Sequence, residues 1–342
     1  MTEHLHFADR LLIAIEKKNS PTCVGLDPVF EDLPEELKQK FADEPLMAID
    51  SFCKTLLDLV WPYVPAVKPQ SAYFERYGSA GVEIFEECVA VAHRRGLIVI
   101  SDVKRNDIGS TAAAYAEGHL KRLYAKLNRV SKRATRVKRV SDRAYNQWKS
   151  YLDVDEANPD AVTVNGYLGS DGIKPFIEKA TPAGRGLFVL VRTSNKSARE
   201  LQDLEIKDGR IKVYEHMADL VAQLGETSEA SVGACGYSNV GAVVGATYPD
   251  DARSLRKRMP RQIFLVPGYG AQGGTANDAA ASFKPDGTGA IVNASRAVIF
   301  AYNAKPYAGM DWKKAIELAA KNFAADIAAA VRRNKDNWLP ND

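Results

Sequence analysis

The chain has 342 residues, of which 46% are hydrophobic and 26% charged, and its formal net charge is +3. That composition fits a soluble globular protein with a sizeable core, and the near-neutral balance excludes a global field that dictates a partner. The four cysteines, Cys23, Cys53, Cys88 and Cys235, lie far apart without a CxxC pair. Their spacing argues against a zinc knot or a disulfide framework and for a reducing compartment. Asp9, Arg10 and Glu16 interrupt the N-terminal stretch MTEHLHFADRLLIAIEKKN. It therefore reads as neither a signal peptide nor a membrane span, and the expected location is the cytoplasm. His4 and His6 are taken as part of a mobile polar N-terminus in preference to a metal site.

Short apolar runs then alternate with longer stretches of helical period. In chain order, strands are predicted at 22–27 (TCVGLD), 64–68 (VPAVK), 97–104 (LIVISDVK), 160–165 (DAVTVN), 187–193 (LFVLVRT), 240–246 (VGAVVGA), 262–267 (QIFLVP) and 289–293 (GAIVN). Several are near-continuous Val/Ile/Leu runs, as expected of parallel strands covered on both faces. Helical patterns lie between them, including 77–95, 109–127, 211–225 and 312–333. Eight strands alternating with helices predict an α/β fold, a (β/α)8 TIM barrel, ahead of an open doubly wound sheet.

Polar residues recur at the C-terminal ends of these strands, where such barrels collect their chemistry. Asp27, Lys68, Asp102, Lys104, Asn165 and Thr193 all fall there. Within SDVKRNDIGST (101–111), Asp102 and Lys104 are two apart on a strand and share a face. Asp107 lies beyond the strand, in a loop before a helix. A surface ion pair would explain one such end; several converging ends favour a site. The segment 121–153 breaks the rhythm. It has no glycine or proline, and between 121 and 149 it carries eleven lysines and arginines against one acid, Asp142. Its apolar residues keep a near-helical period, so a basic amphipathic helical insertion after the third strand is predicted. A solvated insertion packed on the barrel or on a second subunit is preferred to a surface for a polyanion, since nothing in 121–149 supplies base readout.

GYGAQGG (268–274) contains G-x-G-x-x-G after a strand. A dinucleotide fingerprint belongs near the first strand and opens a crossover helix. Here the motif is late, and a polar Gly-rich stretch follows. Loops after the seventh and eighth strands of such barrels instead often hold a phosphate. Arg296, at a predicted helix start in NASRAVIF, and Gln272 are the candidates for that grip. The long polar stretch 194–211 is a candidate mobile lid.

Together these residues resemble a known family. SDVKRNDIGST is similar to the D-x-K-x-x-D signature of orotidine 5′-phosphate decarboxylases, with the N-D-I-G-x-T continuation of their second subfamily. VGLDP (24–28), AVKPQSAYFE (66–75), TVNGYLGSD (163–171), VLVRTSN (189–195), VPGYGAQGG (266–274) and VNASRAVIF (292–300) extend the resemblance in order along nearly the whole chain, except the basic stretch. D-x-K-x-x-D alone is shared with sugar-phosphate lyases and synthases; the set is specific. The resemblance implies a homodimeric barrel that converts orotidine 5′-monophosphate to uridine 5′-monophosphate, the last step of UMP biosynthesis, without cofactor or metal. It implies a charged network of Lys68, Asp102, Lys104 and Asp107, with Lys104 as proton donor to C6 and Asp102 beside the departing carboxylate. Asp107 and Thr111, with Ile108 nearby, would serve the neighbouring subunit's site. Asp27 would contact the ribose, Thr193 and Ser194 the pyrimidine, and Gln272 and Arg296 the phosphate. Gln70 and Asn165 complete the expected substrate-binding set, although Gln70 stands where relatives often have Asn.

The expected organisation is one domain spanning 1–342 with 121–153 inserted in it, and no membrane partner. Two rivals remain at this level. One is a sugar-phosphate decarboxylase or aldol-type synthase using Mg²⁺ held by strand-end acids. The other is a binding protein that turns the basic segment on RNA or another polyanion.

Overall fold

The computed structural model describes residues 5–120, 158–206, 209–270 and 273–336. Eight parallel strands, Thr22–Leu26, Ala66–Pro69, Ile98–Arg105, Ala161–Val164, Gly186–Arg192, Val240–Val244, Phe264–Val266 and Ala290–Ala294, close into a barrel. Each pairs with its neighbours in this order, and the first closes on the eighth through Thr22–Val292, Cys23–Asn293 and Val24–Ala294. Closure rules out the open doubly wound sheet. All eight predicted strands are present, their ends within two residues of expectation. The predicted helices appear as Gly78–Arg94, Gly109–Leu120, Val213–Leu224 and Trp312–Asp336. The basic insertion 121–153 and any polyanion surface on it lie outside the described residues. The stretch 194–211 is built of short turns, Lys196–Ala198 and Arg199–Gln202, and of a minimal antiparallel pair, Glu205–Ile206 with Ile211–Lys212. No helix among the described residues is long and apolar enough to cross a membrane.

Strand alternation makes two cores. Outward residues such as Val24, Val67, Val99, Val162, Val189 and Val292 pack under the helices. Inward ones such as Cys23, Ala66, Ile98, Ile100, Ala161, Phe188, Leu265 and Ile291 fill the barrel. Period-two side chains on a closed sheet require this division.

The barrel's N-terminal end is sealed by the helix Phe7–Lys18. Phe7, only 1% exposed, packs edge-on against Phe188 with ring centroids 5.9 Å apart. Burial of such a side chain contributes about 1.5–3 kcal/mol. Gly186 makes room for it: a Cβ there would lie 2.2 Å from the Phe7 ring. Beside this plug stands Asp160. Its carboxylate accepts from Arg10 Nη1, from Val99 N (2.7 Å) and pairs with His93 Nε2 (2.9 Å). Burial alone would raise its pKa, but His93 and Arg10 outweigh burial and hold the carboxyl well below the usual range.

Candidate active site

A cavity of about 780 Å³ opens at the C-terminal end of the barrel, within the range of small-molecule sites. The alternation that builds the core also delivers its polar lining. Ala66 lies in the barrel interior, and Lys68, two residues on, stands above it; Asp102 follows Ile98 and Ile100, Thr163 follows Ala161, and Asn293 follows Ile291. Each of these four strands therefore lays an apolar layer and then one polar group on top.

Asp102 is the centre. Its side chain is 8% exposed and fully engaged. Oδ2 accepts from Lys68 Nζ at 2.6 Å and Gln70 Nε2 at 2.9 Å; Oδ1 accepts from Lys104 Nζ at 2.5 Å and Thr163 Oγ1 at 2.9 Å. Burial would raise the Asp102 pKa, yet Lys68 and Lys104 overcome it and keep the carboxyl well below its ordinary value. Burial would likewise lower Lys68, but Asp102 and Asp27 outweigh burial and raise it. The two groups hold each other ionised, and their titration belongs to the cluster.

Shared strand parity explains only part of the Asp102–Lys104 approach. The third strand shifts register against the fourth between Ser101 and Arg105. Lys104 adopts φ +43°, a left-handed conformation that costs a non-glycine residue about 1 kcal/mol or more. Thr163 Oγ1 holds this bend by accepting from the backbone N–H of Val103 (3.0 Å) and of Lys104 (2.9 Å). One threonine thus fixes both the carboxylate and the bend that returns the ammonium to it. The Lys104 side chain is 45% exposed, so it fronts the open cavity, whereas Lys68 is buried beneath.

Between the first and eighth strands, Asp27 Oδ1 and Asn293 Oδ1 are buried acceptors without a hydrogen-bond partner among the described residues. Such a pair suits hydroxyl donors of a ligand. Gly25 permits the close approach here, because a Cβ would lie 2.0 Å from Ser295 Oγ. On the opposite rim, the Thr193 N–H donates to Gln202 Oε1 (3.0 Å), and its hydroxyl accepts from Gln202 Nε2 (2.7 Å). Asn165 reaches the cavity too, while its Oδ1 caps the turn at Tyr167 N (2.9 Å). After the seventh strand the glycine motif folds on itself through Gly270 N to Gly274 O (2.9 Å) and Gly274 N to Gly268 O (3.0 Å). Only the five-residue helix Ala276–Ala280 follows, not a crossover helix opened by the motif. Arg296 begins the helix Arg296–Ile299 and lines the cavity.

Nine expected residues therefore meet at one cavity: Asp27, Lys68, Gln70, Asp102, Lys104, Asn165, Thr193, Ser194 and Arg296. Asp107, Ile108 and Thr111 do not line it within one chain. Asp107 Oδ1 instead accepts from Ile108 N (2.8 Å), and Ile108 is 56% exposed. Gln272 lies outside the described residues. Thr163, Gln202 and Asn293 are cavity residues absent from the sequence expectation. Thr163 and Asn293 sit two residues beyond apolar barrel positions, a signal available in the pattern; Gln202 had none.

A family model described as orotidine 5′-phosphate decarboxylase / HUMPS family matches residues 20–131 and 146–308, and the gap between the two blocks falls within the basic stretch. A protein of Rhodopirellula baltica named orotidine 5′-phosphate decarboxylase is 42% identical over 321 residues, covering 92% of this chain and 96% of the relative. One of the same name from Caldicellulosiruptor bescii is 37% identical over 334 residues, covering 96% and 99%. The solved structure of Leishmania donovani OMP decarboxylase superposes with a TM-score of 0.67 at 28% identity, covering 96% of this chain and 100% of that one.

Proposed function

The chain belongs to the orotidine 5′-phosphate decarboxylase / HUMPS family and is a decarboxylase of pyrimidine biosynthesis, and we propose that it performs the reaction through Lys68, Asp102, Lys104 and a partner subunit's Asp107. The observation that carries this reading is the buried Asp102 gripped by two lysines, one of which faces the cavity. Breaking the C6–carboxylate bond of orotidine 5′-monophosphate releases CO₂ and leaves the electron pair on C6. A fixed ammonium beside C6 stabilises that charge without reorganising, and then transfers its proton to C6. Lys104 fills this role and recovers its proton from solvent after turnover. Asp102 adjoins the substrate carboxylate, while Lys68 and Thr163 stop it from turning away.

In the same reading Asp27 and Gln70 serve the ribose, Asn165, Thr193 and Ser194 the base side, and Arg296 with Gln272 the phosphate. Phosphate binding remote from C6 contributes to orienting the base. Two copies of the chain form the catalytic unit, each lending Asp107, Ile108 and Thr111 to its neighbour's cavity. Support comes from exposed apolar side chains at that rim: Ile108, Tyr115 (38%), Tyr167 (70%) and Leu168 (44%). The whole chain acts as one catalytic domain carrying 121–153 as an insertion.

The test is ultraviolet absorbance of EDTA-treated protein mixed with orotidine 5′-monophosphate. A rapid spectral change, absent in Lys104→Ala, is expected; no change with folded protein overturns the reading. For subunit sharing, mixing Asp107→Ala with Lys104→Ala protein should restore activity. Lack of rescue despite confirmed subunit exchange would remove the shared site.

A further inference from the structure

The fifth strand ends in a step, Arg192–Thr193, whose two side chains part company. A register shift against the sixth strand between Leu190 and Arg192 breaks the alternation there. Such bulges re-aim side chains next to functional sites. Thr193 lines the cavity; Arg192 does not, and is 2% exposed. Its guanidinium lies between the rings of Tyr214 and Tyr248, 4.6 and 4.3 Å from their centroids. It reaches two carboxylates, Asp251 (Nε–Oδ2 3.0 Å) from the helix Pro249–Arg258 and Asp203 (Nη1–Oδ1 2.6 Å) from the excursion after the strand.

Asp203 directly follows Gln202. Two adjacent residues of the strand end therefore hold two adjacent residues of the excursion, one pair in the outer layer and one pair at the cavity. At the cavity, the Gln202 amide takes the Thr193 N–H and gives a hydrogen bond to the Thr193 hydroxyl. The hydroxyl proton is then directed to Asn195 Oδ1 at 2.7 Å. Thr193 thus spends both its N–H and its hydroxyl within the protein, and its orientation is fixed before any ligand arrives. The second N–H of the Gln202 amide remains beside the cavity.

We propose that these contacts form a two-point clasp that sets recognition of the pyrimidine ring. Gln202 fixes the Thr193–Ser194 turn and offers an amide donor to a carbonyl oxygen of the base. Arg192 is a positioning residue that acts through Asp203 to deliver Gln202. The proposal rests on the assignment of Thr193 and Ser194 to the base, given above, and adds what holds them. A buried guanidinium that loses one of two carboxylates is left half-paired, so the outer pair resists opening. Preorganisation of this kind shows in affinity for the group being read.

The ligands that separate recognition of the base from general damage are uridine 5′-monophosphate and ribose 5-phosphate, which lacks the base. Gln202→Ala and Asp203→Asn should each weaken uridine 5′-monophosphate binding by about tenfold while leaving ribose 5-phosphate unchanged. Asp203 is part-exposed, which makes its replacement a gentler probe than replacing buried Arg192. The double variant should bind no worse than Gln202→Ala alone, because both changes remove one device. Equal losses for both ligands, additive losses in the double variant, or unchanged nucleotide binding in either single variant overturns the clasp. Thr193→Ala separates the two readings. If it leaves the ratio of the two affinities unchanged, the base assignment itself fails; if it lowers the ratio while Gln202→Ala does not, only the clasp fails.

Discussion

The barrel carries the same electrostatic device at both ends. At the C-terminal mouth Asp102 sits between Lys68 and Lys104; at the sealed end Asp160 sits between Arg10 and His93. Both carboxylate side chains are 8% exposed, and both are held well below the usual carboxylate pKa by their hydrogen-bonded partners against the effect of burial. Burial and pKa therefore do not distinguish chemistry from architecture here. What differs is the third side of each cluster. Asp160 spends its remaining capacity on the backbone N–H of Val99 and lies under a helix. Asp102 spends its own on Gln70 and Thr163, and its partner Lys104 keeps a side chain 45% exposed toward a cavity. A perturbed carboxylate becomes a candidate catalytic group only where a ligand can reach the charges that perturb it.

The largest expected effect tests the open end. Lys104→Ala should lower kcat by at least about 10³-fold, since it removes both the general acid and the charge beside C6. Product binding should survive largely intact. Loss of turnover and of uridine 5′-monophosphate binding in equal measure would place Lys104 with the structural lysines instead.

The matching change at the closed end is Asp160→Asn. It removes the charge and one of the two acceptor oxygens that Arg10, His93 and the Val99 N–H share in a part-buried place, so unfolding free energy should fall by about 1–3 kcal/mol. At temperatures where the variant is folded, kcat should be unaffected. Chemical denaturation and initial rates measured on one preparation check both halves. A fall in kcat without a fall in stability would reverse the comparison.

The two clusters also differ in how far the sequence revealed them. The eight strands were legible because parallel strands covered on both faces read as Val/Ile/Leu runs, and a polar group marks the C-terminal end of most of them. Asp102 and Lys104 were legible for that reason, and the family resemblance gave them roles. Thr163 and Asn293 obey the same two-residue step, so the pattern alone places them at the cavity mouth. The Asp160 cluster was not legible at all. Arg10 is 150 positions away and His93 is 67, and nothing local links them. The Gln202–Thr193 contact spans nine positions across an irregular excursion, where no period exists to align them. Asp107 is a third case: its place in the loop before the helix Gly109–Leu120 is legible in the sequence, but the cavity it is proposed to serve belongs to another copy of the chain.

Arg296→Ala should come next in size. Hydrogen bonds to a charged group contribute about 1.5–3 kcal/mol, so KM should rise by about tenfold to a hundredfold with a smaller change in kcat. Ribose 5-phosphate binding should fall in parallel, which separates the phosphate grip from the base clasp. An unchanged KM would sink the phosphate assignment.

The smallest effect is expected in the acid limb of stability, and it returns to the two carboxylates. Each has a folded pKa below its unfolded value of about 3.9, so each contributes stability that is fully present above that pH and is lost as pH falls toward the folded value. Wild-type protein should therefore lose stability progressively below about pH 4. In Asp160→Asn the closed-end contribution is already gone, so the gap between variant and wild type should narrow as the pH falls through that window, while Asp102 keeps a residual acid dependence in both. Urea midpoints measured from neutral pH downward give the curve. A gap that stays constant to pH 3 would mean that Asp160 is not ionised by its partners, and the symmetry between the two ends would then be one of geometry and not of charge.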